Sequence, residues 1–167
     1  NVYISGFTVT GADDAAGIYL YGSNNSRIEN VNASNNSDGI YLYYSSNNTV
    51  ANNTVSNNEV GIDLWYSSNN TIANNTVSNN SHGIHLGYHS SNNTVANNTV
   101  SNNDGYGIYL DDSSNNTIAN NNVSSNDYLG IYLYYSSNNT ITNNTFHLNG
   151  MAVSDSYDNK VTNNTVN

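Results

Sequence analysis

The chain has 167 residues, of which 8% are charged and 36% are hydrophobic, and its formal net charge at pH 7 is −10. Arg27 and Lys160 are its only basic residues other than histidine. Nucleic acids and anionic membrane surfaces bind clustered Lys and Arg, so neither is expected as a partner. No apolar run reaches the roughly 20 residues of a membrane span, so no membrane insertion is expected within this segment. The absence of cysteine excludes disulfides and thiolate metal sites.

The first residues, NVYISGFTVTG, place apolar side chains at Ile4, Phe7 and Val9 and match the second half of a unit that then repeats. Each unit contains the phrase Gly–aliphatic–x–aliphatic, and successive glycines are 22, 22, 22, 24, 23 and 20 residues apart. Two more apolar anchors follow within the unit, such as Val50 and Val55. The phrase begins at Gly17, Gly39, Gly61, Gly83, Gly107, Gly130 and Gly150.

Each unit therefore holds three short segments in which apolar and polar residues alternate, as in GIYLYY, NTVAN and NTVSN. Alternation predicts strands, and the Asn, Ser and Gly residues between them favour turns. The repeat predicts an all-β fold: a right-handed parallel β-helix, or solenoid, of about seven coils of roughly 22 residues with three short strands per coil. Unequal coil lengths favour this three-sheet form over the strict hexapeptide, left-handed form.

The same alternation predicts which side chains fill the interior of the coils. The isoleucine and the leucine of the Gly phrase are expected to form two neighbouring columns: Ile18, Ile40, Ile62, Ile84, Ile108 and Ile131, beside Leu20, Leu42, Leu64, Leu86, Leu110 and Leu133. A second sheet is expected to stack Val50, Ile72, Val95, Ile118 and Ile141.

The frequent asparagine pairs are interpreted as part of the architecture. Asn tolerates the left-handed backbone conformation better than other non-glycine residues, so it suits corners. Stacked coils also place equivalent amides about 4.8 Å apart, where they can hydrogen-bond along the stack. One residue of the pair Asn52/Asn53, with its equivalents in later coils, is expected to form such an inward ladder.

The motif NNTVANNTVSNNxxGIxL resembles the repeats of NosD-like parallel β-helix proteins. These include the carbohydrate-binding and sugar-hydrolase β-helix domains of archaeal and bacterial surface proteins. The resemblance covers nearly the whole chain and implies the fold. The family contains periplasmic copper-maturation proteins, polysaccharide-acting enzymes and long surface proteins, and no catalytic motif is shared by which a residue role could be transferred.

Two outward columns on the strand of the Gly phrase form a candidate carbohydrate- or partner-binding face. Flat aromatic rings beside carboxylates are suited to sugar rings. Two alternatives stay open: the tyrosines stack only to stabilise the sheet, or the face contacts another chain. The aromatic members of the face are Tyr19, Tyr21, Tyr41, Tyr43, Trp65, Tyr109, Tyr132 and Tyr134.

The middle of this face contains weak candidates for catalysis: Asp63, Asp111, Asp112 and His85. Glycoside hydrolysis needs two carboxyl groups roughly 5–9.5 Å apart. Asp63 and Asp111 lie two coils apart, which separates their backbones by about 10 Å. A polyuronate lyase would need a Lys or Arg base, or calcium, and cationic pairing with the substrate. Whether the protein is an enzyme is left open, with a non-catalytic role favoured.

The histidines near this face, His82, His85 and His89, do not have a standard zinc spacing and are interpreted as surface residues. No metal and no cofactor are expected. If the chain is exported and glycosylated, the loop sequons at Asn47, Asn69, Asn92, Asn115 and Asn138 are expected to be accessible, and those at the Asn52-type corners are expected to be largely buried.

The favoured interpretation is a non-catalytic structural module of an exported cell-surface, sheath, filament or adhesin protein. The alternative is a carbohydrate-binding or carbohydrate-active, glycoside hydrolase-like β-helix that uses the Tyr/Asp/His face. Residues 1–167 are expected to form a single domain, an uncapped part of a longer chain or of an end-to-end assembly. Self-association or contact with other surface-protein segments is expected, with glycans as possible ligands and an extracellular or cell-surface location.

Overall fold

A computed structural model describes residues 1–167 as a succession of short strands without any helix. The strands are β1 (Tyr3–Ser5), β2 (Thr8–Thr10), β3 (Ile18–Tyr21), β4 (Arg27–Glu29), β5 (Asn32–Ser34), β6 (Asp38–Tyr43), β7 (Thr49–Ala51), β8 (Thr54–Ser56), β9 (Val60–Trp65), β10 (Thr71–Ala73), β11 (Thr76–Ser78), β12 (His82–Gly87), β13 (Thr94–Ala96), β14 (Thr99–Ser101), β15 (Ile108–Asp111), β16 (Thr117–Ala119), β17 (Asn122–Ser124), β18 (Ile131–Tyr134), β19 (Thr140–Thr142), β20 (Thr145–His147), β21 (Met151–Ser154), β22 (Lys160–Thr162) and β23 (Thr165–Val166). No helix in the structure is long and apolar enough to span a membrane.

The strands form three parallel sheets, and each coil adds one strand to each sheet. The first sheet runs β1-β4-β7-β10-β13-β16-β19-β22 and the second β2-β5-β8-β11-β14-β17-β20-β23, whereas the third contains β3, β6, β9, β12, β15, β18 and β21. Equivalent residues of successive coils pair directly, as Ile62 does with Ile84. The predicted three-sheet parallel β-helix of about seven coils is therefore confirmed.

The interior is one continuous hydrophobic cluster of 25 buried residues. The predicted isoleucine and leucine columns are confirmed, because their members between Ile40 and Leu133 are fully shielded from solvent and the first pair, Ile18 and Leu20, is only 6% and 5% exposed. The predicted column on the first sheet, Val50 to Ile141, is also confirmed. A third column on the second sheet completes the core: Val55, Val77, Val100, Val123 and Phe146.

In the inner coils, the glycine that opens the phrase is required by the closeness of the next coil, whereas a Cβ at Gly150 would meet nothing within 4 Å. A Cβ atom added at Gly83 would lie 2.4 Å from the carbonyl oxygen of Gly107 and 2.7 Å from Cγ1 of Val100. Real Cβ atoms do not approach backbone this closely, so glycine at this corner lets the third sheet turn tightly onto the second.

The two members of each asparagine pair have different roles: the first turns the backbone in the left-handed conformation, and the second points inward. Asn52 has a φ of 58° and is exposed, whereas Asn53 is 2% exposed and points inward. The side-chain oxygen of Asn75 accepts hydrogen bonds from the backbone N–H and the side-chain amide of Asn53, at 3.0 Å each. The predicted ladder is thus confirmed, and its members are Asn53, Asn75, Asn98, Asn121, Asn144 and Asn164.

Three further ladders occupy the other corners, and the sequence interpretation did not assign them. Two consist of asparagine and pass through Asn48 and Asn58, and the third consists of serine and passes through Ser45. At every corner a residue with positive φ precedes the ladder residue, as Asn47 precedes Asn48. The ladders supply acceptors for backbone N–H groups that the sheets do not pair, and among the buried ladder side chains only the amide nitrogen of Asn139 lacks a hydrogen-bond partner.

Candidate functional site

The outward residues of the third sheet form one continuous surface of aromatic side chains. We call it the tyrosine face, and its members are Tyr19, Tyr21, Tyr41, Tyr43, Tyr44, Trp65, Tyr66, Tyr88, Tyr109, Tyr132, Tyr134 and Tyr135. The two predicted columns are in register, because Tyr19 pairs with Tyr41 and Tyr21 with Tyr43. Equivalent rings stack along the face: the centroids of Tyr19 and Tyr41 are 5.1 Å apart, and those of Tyr109 and Tyr132 are 5.4 Å apart.

A third aromatic column, which the sequence interpretation missed, lies at the corner that follows the third sheet. Tyr44, Tyr66, Tyr88 and Tyr135 have φ values of 50°, 50°, 48° and 45°. The rings of Tyr44 and Tyr66 stack with centroids 4.9 Å apart and planes inclined by 12°. The signal was present in the sequence, because Tyr44, Tyr66 and Tyr135 directly precede a Ser-Ser pair and Tyr88 lies one residue further upstream, but alternation alone does not say that this residue turns outward.

Backbone energetics do not explain tyrosine at this corner. The left-handed conformation is strained for a bulky residue, by roughly 1–2 kcal/mol, and glycine and asparagine adopt it more easily. The chain uses asparagine at nearly every other corner, and it uses Gly22 at the equivalent position of the first coil. Four tyrosines at one strained corner therefore indicate that their side chains, and not their backbones, have a role.

A cleft of about 290 Å³ opens at the N-terminal end of the tyrosine face. It is lined by Asp14, Ala15, Ala16, Tyr19, Ser37, Asp38 and Tyr41. Burial, together with the nearby negative charges of Asp63 and Glu59, raises the pKa of Asp38 from 3.8 to about 7. A carboxyl group with this pKa is part-protonated near neutral pH, so it can donate as well as accept hydrogen bonds. Sequence reasoning did not select Asp38.

The centre of the face is an Asp–His pair. Nδ1 of His85 lies 2.9 Å from Oδ1 of Asp63, and the two side chains are only 13% and 7% exposed. The ring of Tyr109 stacks on that of His85, with centroids 5.0 Å apart. The neighbouring His82 accepts a hydrogen bond at Nδ1 from the backbone N–H of Tyr106, and burial lowers its pKa.

The other two predicted catalytic candidates do not join this pair. Asp111 lies in the second outward column and pairs with Tyr134. Asp112 occupies the corner position with a φ of 47° and contacts the exposed His89 at 3.2 Å. Of the four weak candidates, the structure thus brings together only Asp63 and His85.

The loop sequons are accessible, as expected, because Asn47, Asn69, Asn92, Asn115 and Asn138 are all exposed. The expectation that the corner sequons are buried is wrong for the acceptor asparagines. Asn52, Asn74 and Asn97 are also exposed, because the first residue of each pair turns outward in the left-handed conformation and the second enters the ladder.

Several solved structures share this architecture. The periplasmic alginate epimerase AlgG is similar with a TM-score of 0.79 and 31% identity over 83% of this chain, which spans 35% of that protein. The Dettilon tailspike protein (gp208) has a TM-score of 0.86 at 22% identity, and the match covers 98% of this chain and 41% of that protein. For the alginate lyase from Paenibacillus sp. str. FPU-7 the TM-score is 0.78 at 14% identity, with 98% of this chain and 68% of that one covered. No curated protein sequence matches the chain.

The family model described as "Periplasmic copper-binding protein (NosD)" matches residues 1–167. Protein copper sites are built from His, Cys and Met. The chain lacks Cys and has one Met, and no three His, Asp or Glu side chains converge as a metal site would require. Nδ1 of His85 is engaged by Asp63, and His147 lies on the second sheet. These residues therefore do not fit a copper site, but the match spans every coil, and the chain belongs to the NosD family.

Proposed function

We propose that this chain is a polysaccharide-binding β-helix of an exported protein, and that the ligand lies along the tyrosine face. Export is supported by the periplasmic description of the family and by the periplasmic alginate epimerase among the similar structures. The chain spans about a third of that epimerase.

The observation that carries the proposal is the column of tyrosines at a strained corner. Ring stacking between strands would explain Tyr19 or Tyr41, since cross-strand aromatic pairs stabilise a sheet. Tyr66 also stacks on Tyr44, but the roughly 0.5–1.5 kcal/mol of such a pair is offset by the roughly 1–2 kcal/mol that a bulky residue costs in the left-handed conformation, so stacking does not favour Tyr66 over Asn or Gly. The corner tyrosines widen the face beyond the strands, and a wide surface of flat, amphipathic rings suits the apolar faces of sugars.

The charge of the face favours a neutral polysaccharide. Asp38, Asp63 and Asp111 lie on the third sheet, and they would repel a polyuronate. Both basic residues lie elsewhere: Arg27 on the first sheet forms an ion pair with Glu29, and Lys160 is on the first sheet as well. A polymer of uncharged sugars is therefore the proposed ligand class, in contrast to the alginate named for the epimerase and the lyase.

The proposal can be tested with substitutions that remove a tyrosine ring and introduce a residue that favours the left-handed backbone conformation. Tyr66→Asn and Tyr88→Asn place a favoured residue at the left-handed corner, so the melting temperature should stay unchanged or rise. Their affinity for neutral oligosaccharides, measured by glycan array and calorimetry, should nevertheless fall about fivefold for each ring, since a stacked ring contributes roughly 1 kcal/mol. The matched control is Tyr3→Asn, which removes an exposed ring from the first sheet. Equal losses in Tyr3→Asn and Tyr66→Asn, or no binding by the unaltered protein, would refute the proposal.

A structural role in an exported assembly is a second candidate. The core and the ladders continue from coil to coil without interruption, which is the construction of a stiff rod. In this role the tyrosine face would contact other copies or other surface-protein segments. Sedimentation of the isolated chain tests this: association that Tyr66→Asn weakens supports it, and a monomer at high concentration contradicts it.

A further inference from the structure

The cleft at the N-terminal end of the tyrosine face is walled by a loop that is longer than its equivalents. Residues 11–16, between β2 and the first Gly phrase, form a six-residue segment, whereas the equivalent segment of the third coil, residues 57–60, has four. The backbone N–H of Ser37 donates hydrogen bonds to the carbonyl oxygens of Ala12 and Ala15, at 2.9 and 3.1 Å. The loop is therefore fixed to the second coil, and the cleft beside it is preformed.

The space inside the cleft exists because a small residue, Ala16, stands directly before the first Gly phrase. The residues in the same position of the following coils are larger: Asp38, Val60, His82, Tyr106 and Leu129. The methyl group of Ala16 leaves open a volume of about 290 Å³ beside Asp38. Sites for small molecules occupy roughly 300–1,000 Å³, so this cleft has room for one sugar ring and not for several.

The cleft combines an aromatic wall with a hydrogen-bond acceptor. The rings of Tyr19 and Tyr41 both line it, with centroids 5.1 Å apart, and Tyr19 is 51% exposed. The carboxyl group of Asp38 receives no hydrogen bond from the chain, since burial and the charges around it alone account for its shifted pKa. Its oxygen atoms are therefore free to accept hydrogen bonds from a ligand.

These two features suit the two kinds of surface that a sugar ring has. Its C–H groups pack against aromatic rings, and its hydroxyl groups donate to a carboxylate. We propose that the cleft binds one sugar ring of the polysaccharide, which packs against Tyr19 and Tyr41 and donates hydroxyl hydrogen bonds to Asp38. The inference rests on the proposed polysaccharide function and adds the subsite that fixes the position of the ligand, because one ring held in the cleft sets the register of the units along the rest of the tyrosine face.

The role of Asp38 makes the affinity depend on pH. A hydrogen bond to an ionised carboxylate is roughly twice as strong as one to a neutral carboxylic acid, so affinity should be about fivefold higher at pH 8.5 than at pH 5.5. The charged or titratable groups around Asp38 are Asp14 on the loop, Tyr19 on β3, Tyr41 on the same strand, Glu59 and Asp63 in the next coil, and His82 and His85 on β12. A pH effect that came from either histidine would persist in Asp38→Asn, so this variant separates the two causes.

Calorimetric titration at pH 5.5 and pH 8.5 with cellohexaose, mannohexaose or maltohexaose, whichever binds, tests the subsite. Asp38→Asn keeps a neutral acceptor, so it should bind as the unaltered protein does at pH 5.5 and about fivefold more weakly at pH 8.5. The matched control is Asp127→Asn, which removes the same charge from an exposed position in a later coil and should change affinity less than about twofold. Ala16→Leu fills the cleft with the side chain that the sixth coil carries as Leu129, so it should weaken binding about tenfold at both pH values without lowering the melting temperature.

The outcomes separate the two proposals. Weaker binding by Ala16→Leu, together with a pH dependence that disappears in Asp38→Asn, supports the subsite. If Tyr66→Asn weakens binding but either Ala16→Leu or Asp38→Asn binds as the unaltered protein does at pH 8.5, the ligand does not enter the cleft, and the inference is overturned while the polysaccharide function stands. A pH dependence that is the same with and without Asp38 also overturns it. If none of the three oligosaccharides binds the unaltered protein, both proposals fall.

Discussion

Removal of one amide from the middle of the Asn53–Asn164 ladder should destabilise the protein far more than removal of its exposed neighbour. The side-chain oxygen of Asn98 accepts from the backbone N–H of Asn75 at 2.9 Å and from its side-chain amide at 3.0 Å. Its amide donates to the carbonyl of Ile72 at 2.9 Å and to Oδ1 of Asn121 at 3.0 Å. Asn98→Ala deletes all of these contacts. Asn97→Gly removes an exposed side chain at a φ of 58°, where glycine is comfortable.

The expected magnitude follows from which groups lose their partners. The buried N–H of Asn75 is left without this acceptor, which costs about 1–3 kcal/mol. Three more bonds, two donated by the Asn98 amide and one accepted from the Asn75 amide, add about 0.5–1.5 kcal/mol each. This loss is partly offset because Asn121 Oδ1 keeps the backbone N–H of Asn98 and the Asn75 amide keeps the carbonyl of Val50. The sum predicts a loss of about 3 kcal/mol in the free energy of unfolding for Asn98→Ala. Asn97→Gly should change it by less than about 1 kcal/mol.

Urea unfolding measures both changes. Fluorescence of Trp65 reports the third coil and far-UV circular dichroism reports all the sheets, so coincident transitions would justify a two-state treatment of a repeat protein. If Asn98→Ala and Asn97→Gly unfold at the same urea concentration, the ladder does not stabilise the corners, and the interpretation of the asparagine pairs is wrong.

Two further predictions concern pH and modification. The raised pKa of Asp38 means that the folded protein holds a proton that the unfolded chain releases, so stability should fall as the pH rises from about 4 to about 7. Because Asp38 is partly exposed, screening by solvent reduces this loss of stability to about 1–2 kcal/mol. The free energy of unfolding of Asp38→Asn should equal that of the unaltered protein at pH 4 and exceed it at pH 7.5. A difference that does not change with pH would contradict the raised pKa of Asp38. In a glycosylating host, peptide mass spectrometry should find sugar at exposed loop sites such as Asn47 and also at exposed corner sites such as Asn52, whereas sugar on the ladder residue Asn53 in folded protein would contradict the ladder.

The architecture was predictable because one periodicity determines it. The spacing of Gly61 and Gly83 gives the coil length, and alternation around Ile62 and Leu64 gives the interior columns. The sequence also predicted that one asparagine of each pair forms an inward ladder, although it could not say that this residue is Asn53 and not Asn52. That choice depends on which residue takes the left-handed conformation, and either could do so in isolation.

The site was less predictable because its properties arise from contacts between coils. The residues of the two strand columns were identified by alternation, but the outward turn of Tyr66 depends on its positive φ. The raised pKa of Asp38 depends on its burial in the cleft and on the charge of Asp63 in the following coil. The close packing of His85 and Trp65 against Gly87 depends on the missing side chain of that residue, which in the sequence looks like an ordinary interruption of an aromatic column.

The regular ladders have a consequence for how such a protein can change its length. Since the amide of Asn75 bonds to Asn98 in the same way that the amide of Asn98 bonds to Asn121, the junction between any two inner coils is nearly interchangeable. Duplication or excision of one whole repeat would recreate the same junction and preserve the packing on either side. The tyrosine face can therefore be lengthened or shortened in steps of one coil, about 4.8 Å each, so its length is set by gene recombination and not by point mutation.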